Sequence, residues 1–449
     1  MKSRRRSPSE SRLSRLRKRI AIVATLLFAA YALVVIVLAA HRKPETPLSA
    51  ARTYARATPI PVRPPERYVR WSRAARAAIA RKIARLFAPS LDGAHRYSLL
   101  VIDERGHTLF SDRAESTAAP ASAQKIIVAE TALRVLGPNF RFPTLLVARA
   151  PYRSTAHIGT LWAVGSGDPS LLASDLRDAA RALHAAGVTS VARIAVDPSA
   201  SLGAEINPHW NPEDDGAPYQ APTSALSVDG NLDGSVPVID PNRRAAAILR
   251  KALVQVGISV GAQTILRPAP LTAAIWWNHR SAPLRDLERH MLVQSDNHYA
   301  EQLLRAVALR RYGRASVVDG VRAERAMLRR MHVPTPGIKL LDGSGLSHGN
   351  RVAALTLATL LLRTRGTGTY DLDPLLARAD LDGTLQGIDF GPADGRVRAK
   401  TGHLDDASSL EGYVRTRRHG EVIFAFLVNG SPGDPDRSMR RSVEALSLM

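Results

Sequence analysis

Pro120 to Ile127 reads PASAQKII, and the lysine in it decides how the rest of the chain is read. The chain has 62 Lys plus Arg, but lysine stands only at Lys2, Lys18, Lys43, Lys82, Lys125, Lys251, Lys339 and Lys400. Wherever any cation would serve, the sequence uses Arg. Lys125 alone among them has a serine three residues before it, Ser122. Ser122 to Leu136 has helical spacing, with Ile126, Val128, Ala129, Ala132, Leu133 and Leu136 forming an apolar face, and Gly137–Pro138 ending it. Two residues three apart on such a helix share a face. A serine hydroxyl is a weak nucleophile until a base takes its proton. A lysine whose pKa is lowered can be that base, whereas a guanidinium cannot be deprotonated in a protein. Read alone, the stretch is equally a capping serine and a solvated lysine.

Two later triplets each occur once. Ser295, Asp296 and Asn297 (VQSDNHYAEQLL) offer a hydroxyl that relays a proton and an amide that holds a substrate amide, or else a polar helix break in which all three residues cap. Lys400, Thr401 and Gly402 (VRAKTGHLDD), just before the strand-like SSLEGYV, offer a fixed cation, a hydroxyl and a glycine that lets a ligand approach the backbone, or else an ordinary turn.

Around these triplets the chain alternates in texture. A helical pattern starts at Trp71, and YSLLVIDERGHTLFSDR reads as a hairpin about Glu104–His107. From 144 to 280 come short strands, glycine turns and a proline-rich loop (NPHWNPEDDGAPYQAP), with helices near 172–186 and 242–256. Helices return after Pro283, and SSLEGYVRT and EVIFAFLVNG close the chain as an antiparallel pair. Strands at both ends sharing one sheet make 71–143 and 281–449 one discontinuous domain, with 144–280 inserted.

Ser-x-x-Lys, Ser-Asp-Asn and Lys-Thr-Gly in this order resemble the signature of penicillin-binding proteins and class A β-lactamases. The surroundings are similar to the D-alanyl-D-alanine carboxypeptidase/endopeptidase type, the class C penicillin-binding proteins. The matching stretches are PASAQK, GSGDPSL (165–171), the SAPL to AEQLL segment (281–304), DGSGLS (342–347), LDGTL (381–385) and KTG with SLEGYV, spread over about residues 75 to 445. The resemblance implies an α+β fold: a β-lactamase-like domain of helices and antiparallel sheet with a smaller inserted α/β module.

It also implies roles. Ser122 attacks the carbonyl between two D-alanines and is acylated, with Lys125 as base. Ser295 passes a proton to the leaving amine and Asn297 orients the peptide. Lys400 helps keep Lys125 neutral and, with Thr401 and Gly402, holds the terminal carboxylate. The backbone N–H groups of Ser122 and His403 form the oxyanion hole. Asp168, in the insertion, faces the cross-link amino group, or is simply a turn residue before Pro169. The implied substrates are D-Ala-D-Ala termini and D-Ala-meso-diaminopimelate cross-links of peptidoglycan stem peptides, with β-lactams as acylating inhibitors and no cofactor. Three departures bear on the preference for a free C-terminal D-alanine. His403 stands where a hydroxyl residue is usual, Asp405 and Asp406 add negative charge nearby, and Glu411 replaces a small residue. A weakly catalytic wall-binding protein of the same fold and a β-lactamase or esterase using the same residues are the competing readings.

Ile20 to Ala40 is a charge-free apolar run of bilayer-spanning length. It follows nine cations and one acid in residues 1–19, a flank that stays cytoplasmic. The expected order is a basic tail (1–19), a transmembrane anchor (20–40), a Pro/Ala/Arg-rich stalk (41–70) and an extracytoplasmic catalytic region. Cleavage of the run as a secretory signal is the alternative. The formal charge is +22, of which the first 19 residues account for +8. The remaining +14 is scattered arginine with no nucleic-acid motif, so anionic envelope polymers or lipid head groups are the expected counter-charge and nucleic acid is not. There is no cysteine, and none of the 13 histidines forms HExxH, so no metal site is expected.

Overall fold

The computed structural model describes residues 68–203 and 205–449. The basic tail, the apolar run 20–40 and nearly all of the stalk lie outside the described residues. Among the described residues no helix is long and apolar enough to cross a membrane.

In chain order the main elements are α1 (Arg73–Leu91), β1 (Arg96–Asp103), β2 (Thr108–Asp112), α2 (Gln124–Leu136), β3 (Pro143–Ala148), β4 (His157–Val164), α3 (Ala173–Ala185), β5 (Ser190–Asp197), α4 (Pro241–Gln255), β6 (Thr264–Leu266), β7 (Ala274–Arg280), α5 (Leu284–Gln294), α6 (Asn297–Tyr312), α7 (Val317–Arg330), α8 (Ala354–Thr364), β8 (Ala377–Arg378), β9 (Val397–Leu404), β10 (Ala407–Arg415), β11 (Glu421–Asn429) and α9 (Pro435–Ser447).

The principal sheet is antiparallel, in the order β8-β9-β10-β11-β1-β2. Its first and last long strands are neighbours: Arg96 opposes Asn429 and Asp103 opposes Val422. In β11, Ile423, Ala425 and Leu427 face the core under α2, α5, α6 and α8. Val422, Phe424, Phe426 and Val428 face the core under α1 and α9. A strand buried on both sides explains the unbroken apolar run that sequence alone shows there. A second sheet, β6-β5-β4-β3-β7, is built within 143–280 and is covered by α3 and α4.

The helix expected to begin at Ser122 begins instead at Gln124, after a 3-10 turn at Ala121–Ala123. Every residue from Gln124 to Leu133 is buried. The apolar stripe seen in the sequence is thus the most hydrophobic side of a helix enclosed all round, as an element in the middle of a domain is. That enclosure puts a lysine in the protein interior.

Candidate active site

Ser122 caps no helix; neither α2 nor the turn before it has a side-chain cap bond at its N-terminus. The capping explanation of PASAQK therefore fails. Ala121, just before the serine, sits at φ +47, in the left-handed region that L-residues seldom adopt. Three contacts hold this turn. Asn429 of β11 clamps Ala119 from both sides, Oδ1 accepting its N–H (2.7 Å) and Nδ2 donating to its carbonyl (3.2 Å). Ser409 Oγ of β10 donates to Pro120 O at 2.8 Å. Gly345 packs so closely on Ala121 that a Cβ there would lie 1.8 Å from the Ala121 carbonyl oxygen.

Lys125 has no solvent exposure. Its Nζ lies 2.8 Å from Ser122 Oγ, 2.7 Å from Asn297 Oδ1 and 2.8 Å from the Ser344 carbonyl oxygen. Burial brings its pKa down to about 8, against the opposing pull of Asp296, Asp342 and Glu301. Lys400, equally buried in β9, has its Nζ 2.8 Å from Ser295 Oγ and 2.6 Å from the Thr401 carbonyl. Burial and then the charge of Lys125 hold its pKa well below the ordinary lysine range, with Glu411 opposing. The lowering at Lys125 comes from burial, and Lys400 is itself held low.

Ser-Asp-Asn is a helix break and a site element at once. Ser295 ends α5 in the left-handed conformation (φ 59, ψ 34), and Asp296 caps α6, its Oδ1 accepting Tyr299 N at 3.1 Å. The sharp turn between the helices sends Ser295 to Lys400 and Asn297 to Lys125. Lys-Thr-Gly lies inside β9 and not in a turn. β8 pairs only with Arg398 and Ala399, so from Lys400 onward no strand among the described residues covers the outer edge of β9. Thr401 Oγ1 donates to Thr384 Oγ1 at 2.8 Å.

Packing within the chain also requires the glycine at Gly402. A Cβ there would meet Ser409 Oγ at 2.3 Å, Pro120 O at 2.8 Å and Ala121 Cβ at 3.0 Å, so the strand lies directly against the turn that carries Ser122. The His403 ring is 74% exposed and 4.0 Å from Asp436 Oδ2. Asp406 reaches His348 Nδ1 at 3.1 Å. Glu411 is buried opposite Lys400 in the β9–β10 register, where burial pushes its pKa well up and Lys400 pulls it down. Asp168 is buried in a turn, Oδ1 accepting both the N–H (2.9 Å) and the hydroxyl (2.7 Å) of Ser170; no hydrogen bond links it to the Ser122 cluster.

Four contributors had no assigned role in the sequence reading. Ser344, in DGSGLS, supplies a carbonyl to Lys125. Glu301, in AEQLL, secures that carbonyl's turn: its Oε1 accepts the N–H of Gly343 (2.9 Å) and of Ser344 (2.8 Å). Trp210 and Tyr219 belong to the proline-rich loop. Trp210 Nε1 donates to Asp342 Oδ2 at 3.1 Å, and the Tyr219 carbonyl accepts from Asn297 Nδ2 at 3.0 Å. Asp342 also accepts the N–H of Gly345 and of Ser347, so one buried carboxylate ties the loop to the turn that shapes the nucleophile's surroundings. Trp210→Phe removes one donor from a buried acceptor. It should lower stability by about 1–2 kcal/mol in denaturant unfolding and weaken acylation of Ser122 far less than substitution of Lys125 does, because Asp342 keeps its backbone donors.

The D-Ala-D-Ala carboxypeptidase 3 (S13) family model matches residues 79–234 and 231–447. A carboxypeptidase of Mycobacterium tuberculosis is 34% identical over 337 residues, 69% of this chain and 71% of its own. The D-alanyl-D-alanine carboxypeptidase of an Actinomadura species is 27% identical, covering 77% of this chain and 79% of its own. Among solved structures, penicillin-binding protein 4 of Haemophilus influenzae superposes with a TM-score of 0.73 at 22% identity, covering 80% of this chain and 98% of that one. A peptidoglycan endopeptidase of Bdellovibrio bacteriovorus gives 0.51 at 21% identity, over 74% and 85%. These two establish the fold, which is that of the penicillin-binding proteins.

Proposed function

Because this chain belongs to the D-Ala-D-Ala carboxypeptidase 3 (S13) family of serine hydrolases, we propose that it cleaves peptidoglycan stem peptides through an acyl-enzyme on Ser122, with Lys125 as the base. One observation carries the assignment: the hydrogen-bond arithmetic at the Lys125 amine. A protonated lysine has three donors and no acceptor, while the neutral amine has two hydrogens and a lone pair. Asn297 Oδ1 and the Ser344 carbonyl only accept, so they take two hydrogens. In the neutral amine the remaining lone pair faces the Ser122 hydroxyl 2.8 Å away.

Ser122 Oγ attacks the carbonyl carbon between the two D-alanines as its proton moves to Lys125 Nζ. The negative charge on the carbonyl oxygen meets the N–H groups of Ser122 and His403, donors each typically worth about 3 kcal/mol. As the C–N bond breaks, the proton taken up by Lys125 passes to the departing amine by way of Ser295, which Lys400 holds. Water then attacks the ester carbon as its proton moves to Lys125, and Lys125 passes that proton to Ser122 Oγ as the ester C–O bond breaks. Lys400, Thr401 and the uncovered edge of β9 receive the substrate's terminal carboxylate or backbone, and Asn297 its amide, displacing the Tyr219 carbonyl. Asp168 offers a carboxylate oxygen for a cross-link amine. The same chemistry takes β-lactams, which trap the ester. The run 20–40 anchors the enzyme with its catalytic region outside the cytoplasm; membrane fractionation with and without alkaline carbonate checks this.

Labelling with a fluorescent penicillin, followed by assay of D-alanine release from a stem pentapeptide, tests the reading. Labelling with release supports it. Labelling without release favours the wall-binding reading, for which the Tyr219–Asn297 contact is the best argument, and rapid loss of label with drug hydrolysis favours a β-lactamase. A pH dependence follows from Lys125. Its neutral form predominates above the lowered pKa, so the second-order rate of penicillin acylation should rise as pH increases through about 8 and level off above it. A rate flat from pH 6 to 9 argues against Lys125 as the base.

A further inference from the structure

The helices that begin at the active site end at a second feature. Lys125 lies in the first turn of α2, and Asn297 is the first residue of α6. At 1.5 Å per residue these helices run roughly 20 and 24 Å. Their C-terminal turns converge with those of α7 and α8 on a cavity of about 540 Å³. Arg134, Arg310, Arg311, Arg330 and Arg363 surround it, and Met327 is part of its floor.

Arginine is common here, so abundance alone says little; convergence says more, since five guanidinium side chains line one cavity. Some arginines elsewhere have carboxylates beside them, as in Arg181–Asp178, Arg289–Asp382, Arg314–Asp319 and Arg441–Glu444, and others, such as Arg81 and Arg177, stand singly with none among the described residues. At the cavity only Arg134 has one, Glu130 at 2.6 Å. Among the described residues, Arg310, Arg311, Arg330 and Arg363 have no carboxylate within 4.0 Å. Nor do their guanidinium groups serve the helix ends, whose last carbonyls take backbone N–H groups from Gly137, Gly313, Met331 and Arg365. Four uncompensated guanidinium groups around one concavity repel one another. A multiply charged anion removes that repulsion, and guanidinium groups grip phosphate oxygens two at a time.

We propose that this cavity is an anion-binding site, remote from Ser122, for a soluble polymer carrying phosphate groups. A bilayer surface is the poorer fit: the lining contributes no large exposed apolar side chain to enter a membrane, since Met327 is buried and the rim is arginine. An enzyme of polymeric substrates gains residence by gripping an anionic chain away from its cleft, and the grip adds nothing to the chemistry at Ser122.

The test is calorimetric titration of the full-length protein with sodium tripolyphosphate. It compares wild type, a cavity variant (R310Q, R311Q, R330Q, R363Q) and a control with the same charge loss elsewhere (R81Q, R85Q, R96Q, R177Q). The cavity variant should bind at least tenfold more weakly and the control within about twofold of wild type. Both should be acylated by penicillin at the wild-type rate, which also shows that they fold. The double variant R310Q, R363Q should give an intermediate loss, keeping the test open if four changes disturb α6. Equal weakening in the cavity and control variants, no weakening in either, or binding only of monomeric short-chain phosphatidylglycerol overturns the proposal.

Discussion

Lys125→Arg should lower the rate of Ser122 acylation by on the order of 10³-fold or more, while Lys82→Arg leaves it unchanged. The two substitutions are the same in formal charge. Lys82 is an exposed residue of α1, where any cation serves. At 125 the side chain is buried and must give up a proton, which the guanidinium does not do. An arginine there adds volume among Asn297, Ser344 and Ser122 and leaves only donors facing the hydroxyl. Lys125→Met, which removes the charge without adding donors, should be equally inactive. Stopped-flow acylation with a fluorescent penicillin, beside thermal melts that show both variants folded, makes the comparison. Matching rates for the variants at 125 and 82 would remove the base from the mechanism.

Gly345→Ala should be the most damaging single methyl group in the site. The new Cβ would lie 1.8 Å from the Ala121 carbonyl oxygen and 3.0 Å from Gln124 Cβ, at a residue whose φ is +83. The backbone of the turn before Ser122 has to move, and with it the hydroxyl. Gly366→Ala is the matched control: its φ is +71, but nothing lies within 4 Å of the added atom. The control should cost about 1–2 kcal/mol, the penalty of the left-handed conformation alone. Gly345→Ala should cost at least about 2 kcal/mol more, from overpacking against backbone that cannot yield, and should lose most acylation. Denaturant midpoints and penicillin labelling measure the two effects. Equal losses in stability would mean that the packing of DGSG on the nucleophile's turn is not tight in solution.

These cases also mark how far the sequence could be read. That Ser122 meets Lys125, Lys125 meets Asn297 and Ser295 meets Lys400 could be anticipated because the proposed chemistry depends on side-chain identity, which short motifs preserve. The antiparallel pair at the chain's end and its meeting with the first hairpin were legible from apolar runs that only a sheet buried on both faces requires. The carbonyl of Ser344 was not, since every residue has one and only tertiary packing decides which faces an amine. Trp210 and Tyr219 sit in a loop without periodicity, about 80 residues from their partners at Asn297 or more, so nothing local marks them. Gly402 has a further reason that the sequence did not show: the close approach of Ser409, Pro120 and Ala121 of the same chain. Glu411 read only as a residue standing where a small one is usual, and it is buried opposite Lys400 across the β9–β10 ladder.

The pairing of β1 with β11 has a consequence for the timing of activity. Asn429, which fastens Ala119, is made 310 residues after it, and Lys400 precedes Asn429 by only a few dozen residues. A ribosome that has already made the PASAQK turn, α2 and α6 therefore holds a chain whose hydroxyl has neither its clamp nor its proton relay. Latency follows from strand order: a product that stops before β11 should not react with penicillin, and drug labelling of the nascent chain should appear only once β11 has been made.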